Sequence, residues 1–218
     1  FVGHPLLDDE IKSNIRIDNL INDSKKHISL FAGSRESEIK IHAPILFKFI
    51  KKMNDKENDF NFIFHTTDKL KNYLINLLNK ENIPNTEVIS DDKIKNEILK
   101  KSIFAVVKSG TVSLEVCKLN IPSIIIYKMN YINFFLAKFF LKIKFANMIN
   151  IINDKEIIPE LIQKDCNADE IFKSVYYLLN KPDLIVNQLK IVKSAIEELK
   201  SPSSSSKEAS KVLISYLA

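Results

Sequence analysis

The sequence lacks the features of a membrane-spanning protein. Among its 218 residues there are 3 glycines and no tryptophan. It also has no stretch of about 18 uncharged apolar residues, the minimum length at which an apolar run is read as a membrane-spanning helix. No secretory signal peptide is visible at its start. We therefore do not expect a transmembrane helix.

Cysteine and histidine are also scarce. The two cysteines, Cys117 and Cys166, do not have the spacing of metal ligands. Cys117 falls within a helical pattern and Cys166 just before another, which predicts buried thiols in a reducing compartment rather than a disulfide. The four histidines show no pairing typical of a metal site. We expect no bound metal and no cofactor.

Charge and hydrophobicity indicate a basic globular protein. The chain is 45% hydrophobic and 27% charged, with a net charge of +5. Its length is sufficient for one large domain, or for a domain with an appendage. A basic protein favours an anionic partner such as a nucleotide, a phospholipid surface or nucleic acid. Except in residues 131–146, the lysines are scattered rather than gathered with aromatic residues on one stripe, which argues against nucleic acid.

Apolar periodicity predicts alternating strands and helices. Short β-branched or aromatic runs predict strands, and apolar residues spaced by three or four predict helices. This alternation predicts an α/β fold, a Rossmann-like parallel sheet flanked by helices, followed by a C-terminal helical segment. The predicted strands are residues 28–32, 60–65, 86–90, 103–107 and 122–127.

Two turns follow predicted strands and open predicted helices. Ser109, Gly110 and Thr111 follow the strand at 103–107. Gly110 lets the backbone bend close to a ligand, Ser109 or Thr111 can cap the helix, and the free helix N–H groups suit phosphate. Glu115 lies one turn further on the same face, where a carboxylate can accept hydrogen bonds from a ribose diol.

The second turn contains Gly33, Ser34 and Arg35, after the strand at 28–32. Ligands of parallel sheets bind beyond the carboxyl ends of the strands, so both turns are expected at the same edge. The regular helix after this turn is predicted to begin at Pro44, with proline at its first position.

Three motifs occur in order: GSRESEI at 33–39, SGT at 109–111 followed by Glu115, and PELIQ at 159–163. The opening residues FVGHPLLD precede them. Together these segments resemble the carboxyl-terminal half of bacterial lipid-A-disaccharide synthases, a family of GT-B glycosyltransferases. The resemblance covers nearly the whole chain, and its specificity comes from the order and spacing of the motifs.

The resemblance implies a donor-binding domain. It assigns residues 1–25 to an interdomain crossing and linker, 26–200 to a nucleotide-sugar-binding Rossmann-like domain, and 201–218 to a flexible break and terminal helix. The family transfers 2,3-diacylglucosamine from UDP-2,3-diacylglucosamine to 2,3-diacylglucosamine 1-phosphate, and releases UDP. Catalytic residues are expected mainly in a missing amino-terminal domain, so this chain is expected to come from a longer protein. The same resemblance implies that the protein is cytoplasmic and peripheral to the inner membrane.

The resemblance also implies roles for particular residues. Gly33, Ser34 and Arg35 would bind the donor pyrophosphate or the nearby sugar, and Arg35 alternatively pairs with Glu36 or Glu38. Ser109, Gly110 and Thr111 would hold phosphate, and Glu115 the ribose. Asn150, preceded by Ile149 where the family has proline, and Gln163 would face the nucleotide, although Gln163 is equally well explained as an exposed amide at a helix end.

Several alternatives remain open. Residues 131–146 carry aromatic residues with Lys138 and Lys142 on one helical face, which suits either an anionic membrane surface or a core helix with lysines reaching water. The sequence leaves open whether the chain forms a homodimer. A second functional class is a non-catalytic basic α/β module for nucleotides or nucleic acid.

Overall fold

The protein is built on one parallel β-sheet. A computed structural model describes residues 2–8, 24–129, 144–201 and 203–216, and within these ranges six strands form a single sheet in the order β3-β2-β1-β4-β5-β6. Every neighbouring pair of strands is parallel. The strands are β1 (Lys26–Phe31), β2 (Phe60–His65), β3 (Thr86–Ile89), β4 (Ser102–Lys108), β5 (Ser123–Tyr127) and β6 (Glu160–Ile162).

Helices cover both faces of this sheet, which confirms the predicted α/β class. α2, α3 and α7 pack against one face, while α1, α4, α5, α6 and α8 contribute to the core on the other. The helices are α1 (Pro5–Asp8), α2 (Glu36–Lys56), α3 (Asp68–Lys80), α4 (Asp92–Lys101), α5 (Thr111–Lys118), α6 (Met148–Ile152), α7 (Ala168–Leu179), α8 (Pro182–Glu198) and α9 (Ser205–Ser215).

The central strand β4 shows why the apolar runs are continuous rather than alternating. Phe104 and Val106 belong to the core under α2, and Ala105 and Val107 to the core under α5 and α8. All four side chains are completely buried. A strand covered on both faces needs apolar residues at consecutive positions, and this is the pattern that predicts it from the sequence.

The strand order places a crevice between β1 and β4. From β1 the chain crosses outward to β2 and β3, and it then returns to β4, which pairs with the other side of β1. The connections leave these two neighbouring strands in opposite directions, so a gap opens beyond their carboxyl ends. The two glycine-containing turns both lie there, as the sequence predicts.

The prediction that the regular helix begins at Pro44 is wrong. α2 begins at Glu36 and contains Pro44 in its interior. Proline removes the N–H that would bond the carbonyl of Lys40. Both residues lie on the exposed side of the helix, where water can satisfy that carbonyl.

The alternative that places Gln163 at a helix end is also wrong, because Glu160–Ile162 forms strand β6 beside β5. Gln163 follows this strand with φ 54° and is buried, so it is not an exposed amide at a helix end. Three residues are too few to show a strand periodicity.

The first and last described segments contact each other. Asp8 accepts hydrogen bonds from the backbone N–H of Ser205 (2.7 Å) and from its hydroxyl (3.1 Å), at the start of α9. Leu7 packs beside Leu199 in the core of that face.

The prediction for residues 131–146 concerns Lys138 and Lys142, which lie outside the described residues. No helix in the described part of the chain is long and apolar enough to cross a membrane.

Candidate functional site

A cavity of about 390 Å³ lies beyond the carboxyl ends of β1, β2 and β4. It brings together seven of the residues singled out from the sequence, because β1 and β4 are neighbours in the sheet. Those lining residues are Gly33, Ser34, Arg35, Ser109, Gly110, Thr111 and Glu115.

The turn after β1 is shaped by Gly33. Its φ of +128° is unfavourable for any residue with a side chain, and a Cβ there would lie 2.4 Å from the Cβ of Glu38. The Glu38 carboxylate accepts a hydrogen bond from the backbone N–H of Ser34 at 2.9 Å. The side chain of Arg35 is 79% exposed at this turn, so its ion pair with Glu38 (3.7 Å) contributes little stability.

Glu38 also joins the two turns. Lys108, the last residue of β4, places its Nζ 3.1 Å from Glu38 Oε1 and 5.2 Å from the ring centre of Tyr127. Burial alone would raise the pKa of Glu38, but hydrogen bonds from Lys108 and Ser34 and the nearby positive charges lower it below its usual value. The carboxylate is therefore ionised, and it holds a lysine and an arginine beside the cavity.

The turn after β4 leaves the start of α5 open. Gly110 occupies the N-cap position with φ +156°, and the helix has no side-chain cap. The prediction that Ser109 or Thr111 caps α5 is wrong, because Ser109 Oγ donates instead to the carbonyl of Ala146 at 3.0 Å. Among the described residues, the first N–H groups of α5 have no side-chain acceptor, and they provide positive partial charge for an anion.

Glu115 is held by a lysine from another helix. Lys95 of α4 places its Nζ 2.7 Å from Glu115 Oε2 and 3.4 Å from Asp92 Oδ1. Burial alone would lower the pKa of Lys95, but the bonds and charges of the two carboxylates raise it above its usual value. Within the described ranges, Glu115 Oε1 has no hydrogen-bond partner, so it is available to a ligand hydroxyl.

The end of β2 contributes His65, which the sequence analysis did not single out. Its ring stacks on Phe31, with 4.6 Å between ring centres. Burial, together with the charge of Lys95, lowers the pKa of His65 to about 3. The imidazole is therefore neutral at physiological pH.

Asn150 and Gln163 do not line this cavity. The side chain of Asn150 is completely buried and holds its own loop: Oδ1 accepts from the N–H groups of Ile157 and Ile158, and Nδ2 donates to Glu160. Gln163 Oε1 accepts from the N–H of Met129 at 3.3 Å. A role for either residue at a nucleotide remains a prediction.

The two cysteines are buried and free, as predicted. Burial raises the pKa of Cys117 to about 12 and that of Cys166 to about 11, so both remain protonated. In the portion of the chain that the structure describes, no group of three or more histidine, cysteine, aspartate or glutamate side chains could hold a metal ion.

The lining residues that the sequence reasoning missed as site residues include Lys95, Lys108, Glu38 and His65. Lys108 directly precedes the SGT motif, and Glu38 lies within the GSRESEI motif, so both carried a weak positional signal. Lys95 and His65 carried none, because a single lysine on a helix and a single histidine at a strand end are usually structural.

The fold and the site define a class: a Rossmann-like domain of the GT-B type with a ligand cavity at the topological switch point. Known structures with this fold include the S. aureus MnaA–UDP co-structure (TM-score 0.62, 17% identity, 96% of this chain and 49% of that one). Another is the C-terminal domain of a group 1 glycosyl transferase from Francisella tularensis (TM-score 0.55, 14% identity, 83% and 88% covered).

The sequence comparisons name the family. The family model for lipid-A-disaccharide synthetase matches residues 1–214. The chain is 31% identical over 207 residues to the lipid-A-disaccharide synthase of Persephonella marina, covering 91% of this chain and 55% of that protein. It is 32% identical over 216 residues to that of Sulfurihydrogenibium sp., covering 90% and 54%. The chain belongs to the lipid-A-disaccharide synthetase family, and it spans about half the length of the curated relatives it matches.

Proposed function

We propose that this chain is the UDP-sugar-binding half of a glycosyltransferase that makes the lipid A disaccharide. The reaction transfers 2,3-diacylglucosamine from its UDP derivative to 2,3-diacylglucosamine 1-phosphate, with release of UDP. Membership in the family supports this reaction. The observation that carries the proposal is the cavity itself, which joins two helix N-termini, three basic side chains and three carboxylates beyond the switch point of the sheet.

Each part of a nucleoside diphosphate has a matching group in the cavity. The Gly33–Arg35 and Ser109–Thr111 turns offer the diphosphate their backbone N–H groups other than those of Ser34 and Ser109, which bond Glu38 and the carbonyl of Ile126. Arg35 adds a planar guanidinium that matches phosphate oxygens. Glu115 Oε1 accepts hydrogen bonds from the ribose hydroxyls. These groups stabilise the negative charge that develops on the leaving UDP, so the chemistry needs no metal.

We also propose donor contacts at Gln163 and around Asn150, on the side of β4 away from β1. The Nε2 of Gln163 is buried and has no hydrogen-bond partner among the residues described. A buried amide N–H without an acceptor is destabilising, and a ligand oxygen would satisfy it. Asn150 supports the same region through the loop that it holds.

The proposed partners extend beyond the donor. The acceptor monosaccharide and the catalytic base belong to an amino-terminal domain outside this chain. Residues 131–146 provide a basic, aromatic segment for an anionic membrane surface, consistent with lipid substrates and with a cytoplasmic protein peripheral to the inner membrane. We propose neither a resident cofactor nor nucleic acid binding.

The test is calorimetric titration with UDP and, separately, with a DNA oligonucleotide. We expect UDP to bind and the oligonucleotide not to bind. Replacing Arg35 or Glu115 with alanine should each lower UDP affinity by about tenfold or more, because a lost hydrogen bond to a charged group is worth about 1.5–3 kcal/mol. Lys52→Ala removes an exposed cation remote from the cavity and serves as the control.

Tight oligonucleotide binding without UDP binding would support the alternative, a basic nucleic-acid module. Unchanged UDP affinity in both Arg35→Ala and Glu115→Ala would remove these two side chains from the site.

A further inference from the structure

Two adjacent residues at the end of β2 line the cavity, and each has a buried polar side-chain atom. Nδ1 of His65 and Oγ1 of Thr66 are both buried, and within the described segments neither has a hydrogen-bond partner. The His65 side chain is 5% exposed. Buried polar atoms in proteins are nearly always paired, so two unpaired atoms next to each other at a cavity wall indicate a ligand that pairs with them.

A chain of hydrogen bonds determines which nitrogen of His65 carries the proton. Ser102 Oγ donates its hydrogen to the carbonyl of Ile98 at 3.1 Å. The 2.7 Å contact between Ser29 and Ser102 must therefore use the hydrogen of Ser29. Ser29 Oγ is then left to accept at 2.9 Å from His65, so the proton is on Nε2. Nδ1 of the neutral ring is consequently a hydrogen-bond acceptor.

Lys95 lies near both Glu115 and His65. Its Nζ is 2.7 Å from Glu115 Oε2, and its positive charge is one of the causes that lower the pKa of His65. Both glycine-containing turns, Lys95, His65 and Thr66 line the same cavity as Glu115. α4, which carries Lys95, begins just after β3, the strand that pairs with β2. A nucleotide with its diphosphate at the turns and its ribose at Glu115 places its base at the end of β2.

We propose that His65 and Thr66 read the hydrogen-bonding edge of the pyrimidine base, an inference that rests on the function proposed above. The N3–H of uracil donates to Nδ1 of His65, and the hydroxyl of Thr66 donates to an adjacent carbonyl of the base. Cytosine carries a lone pair at N3, which would face the lone pair of Nδ1. The site therefore selects uracil over cytosine through one acceptor atom.

The experiment compares UDP, CDP and N3-methylated UDP by calorimetry on the 218-residue chain. UDP should bind at least about tenfold more tightly than CDP or N3-methylated UDP. With either of those two ligands the buried acceptor of His65 has no donor, and the desolvation cost of that acceptor weakens binding. Methylation at N3 removes the donor that His65 is proposed to bind and adds one methyl group at that position.

Two variants separate the roles of the two side chains. His65→Phe retains a ring to stack on Phe31 and removes Nδ1, so it should lower UDP affinity and leave CDP affinity nearly unchanged. Thr66→Val should lower both affinities by a similar factor, because a hydroxyl can donate to the uracil carbonyl or accept from the cytosine amino group. Thr86→Val is the matched control, because Thr86 Oγ1 donates to the Ile83 carbonyl away from the cavity.

Equal affinities of the wild-type chain for UDP and CDP would overturn the base-reading role, as would an unchanged ratio in folded His65→Phe. If His65→Phe does not fold, equal binding of UDP and N3-methylated UDP by the wild-type chain would overturn it. Absence of binding by every nucleotide would instead overturn the proposed function.

Discussion

Lys95 Nζ lies 2.7 Å from Glu115 Oε2, and this ion pair joins α4 to α5 inside the cavity. Their side chains are 21% and 27% exposed, so solvent screens the pair less than it screens a surface pair. The contact occupies one carboxylate oxygen of Glu115 and leaves the other for a ligand. Lys95 thus sets the orientation of the carboxylate that is proposed to bind ribose.

Replacing Lys95 with methionine should lower UDP affinity by about tenfold, because Glu115 is left without the partner that orients it. The double variant Lys95→Met, Glu115→Ala should bind UDP little worse than Glu115→Ala alone, since the two residues act as a unit. Calorimetry on the full cycle measures this. Lys93→Met, at an exposed position on the same helix, is the control. Additive losses in the double variant would show that Lys95 acts on the nucleotide independently of Glu115.

The two glycines of the cavity should differ in their tolerance of alanine. Gly33→Ala introduces a Cβ 2.4 Å from Glu38 at φ +128°, whereas the Cβ of Gly110→Ala meets, among the described residues, only Lys108 Nζ, at 4.0 Å. Backbone strain costs about 1–3 kcal/mol in both variants, and overlap adds to it only at Gly33. Urea denaturation should therefore show the larger loss of stability for Gly33→Ala. Equal losses would mean that Glu38 moves aside without cost.

Stability should depend on pH through Glu38. Its folded pKa lies below the ordinary value of 4.5, so its ionised form stabilises the fold at any pH above that value. This contribution is lost as the pH falls through the lowered folded pKa. The stability difference between wild type and Glu38→Gln, measured by urea denaturation, should be present at pH 7 and should shrink in acid. Glu36→Gln, which breaks a surface pair with Lys40, should show little difference at either pH. If the stability difference between wild type and Glu38→Gln were the same in acid as at pH 7, the ionised Glu38 carboxylate would not be the source of this stability.

The chain by itself should bind UDP and transfer no sugar. Positioning of the acceptor can account for about 7–11 kcal/mol of a barrier, and general base catalysis for about 10²–10⁴-fold in rate. Both depend on the proposed amino-terminal domain. Mass spectrometry should detect no disaccharide when this chain receives the UDP-diacylglucosamine donor and the monosaccharide acceptor, and should detect it when the amino-terminal half is added. Disaccharide formed by this chain alone, and abolished by Arg35→Ala, would place the catalytic groups here.

Much of the fold was predictable because its signals are local. The continuous apolar runs of β1, β2, β4 and β5 indicate strands buried on both faces, and the stripes of α2, α3, α7 and α8 indicate amphipathic helices. The sequence patterns gave wrong predictions of secondary structure where an element was very short or where a proline interrupted it. Three residues of β6 show no periodicity, and Pro44 looked like a helix start although it lies on the exposed face of α2, where a missing N–H is tolerated.

The sequence by itself determined that Gly33 and Gly110 follow parallel strands, because strand, turn and helix signals are contiguous along the chain. Their meeting in one cavity required the strand order, which pairs β1 with β4. Only the tertiary structure decided that Lys95 binds Glu115, that Lys108 binds Glu38, and that His65 Nε2 contacts Ser29 Oγ. The partners in these contacts are 20, 70 and 36 residues apart in the chain, and no local pattern encodes which distant side chains packing brings within hydrogen-bonding distance.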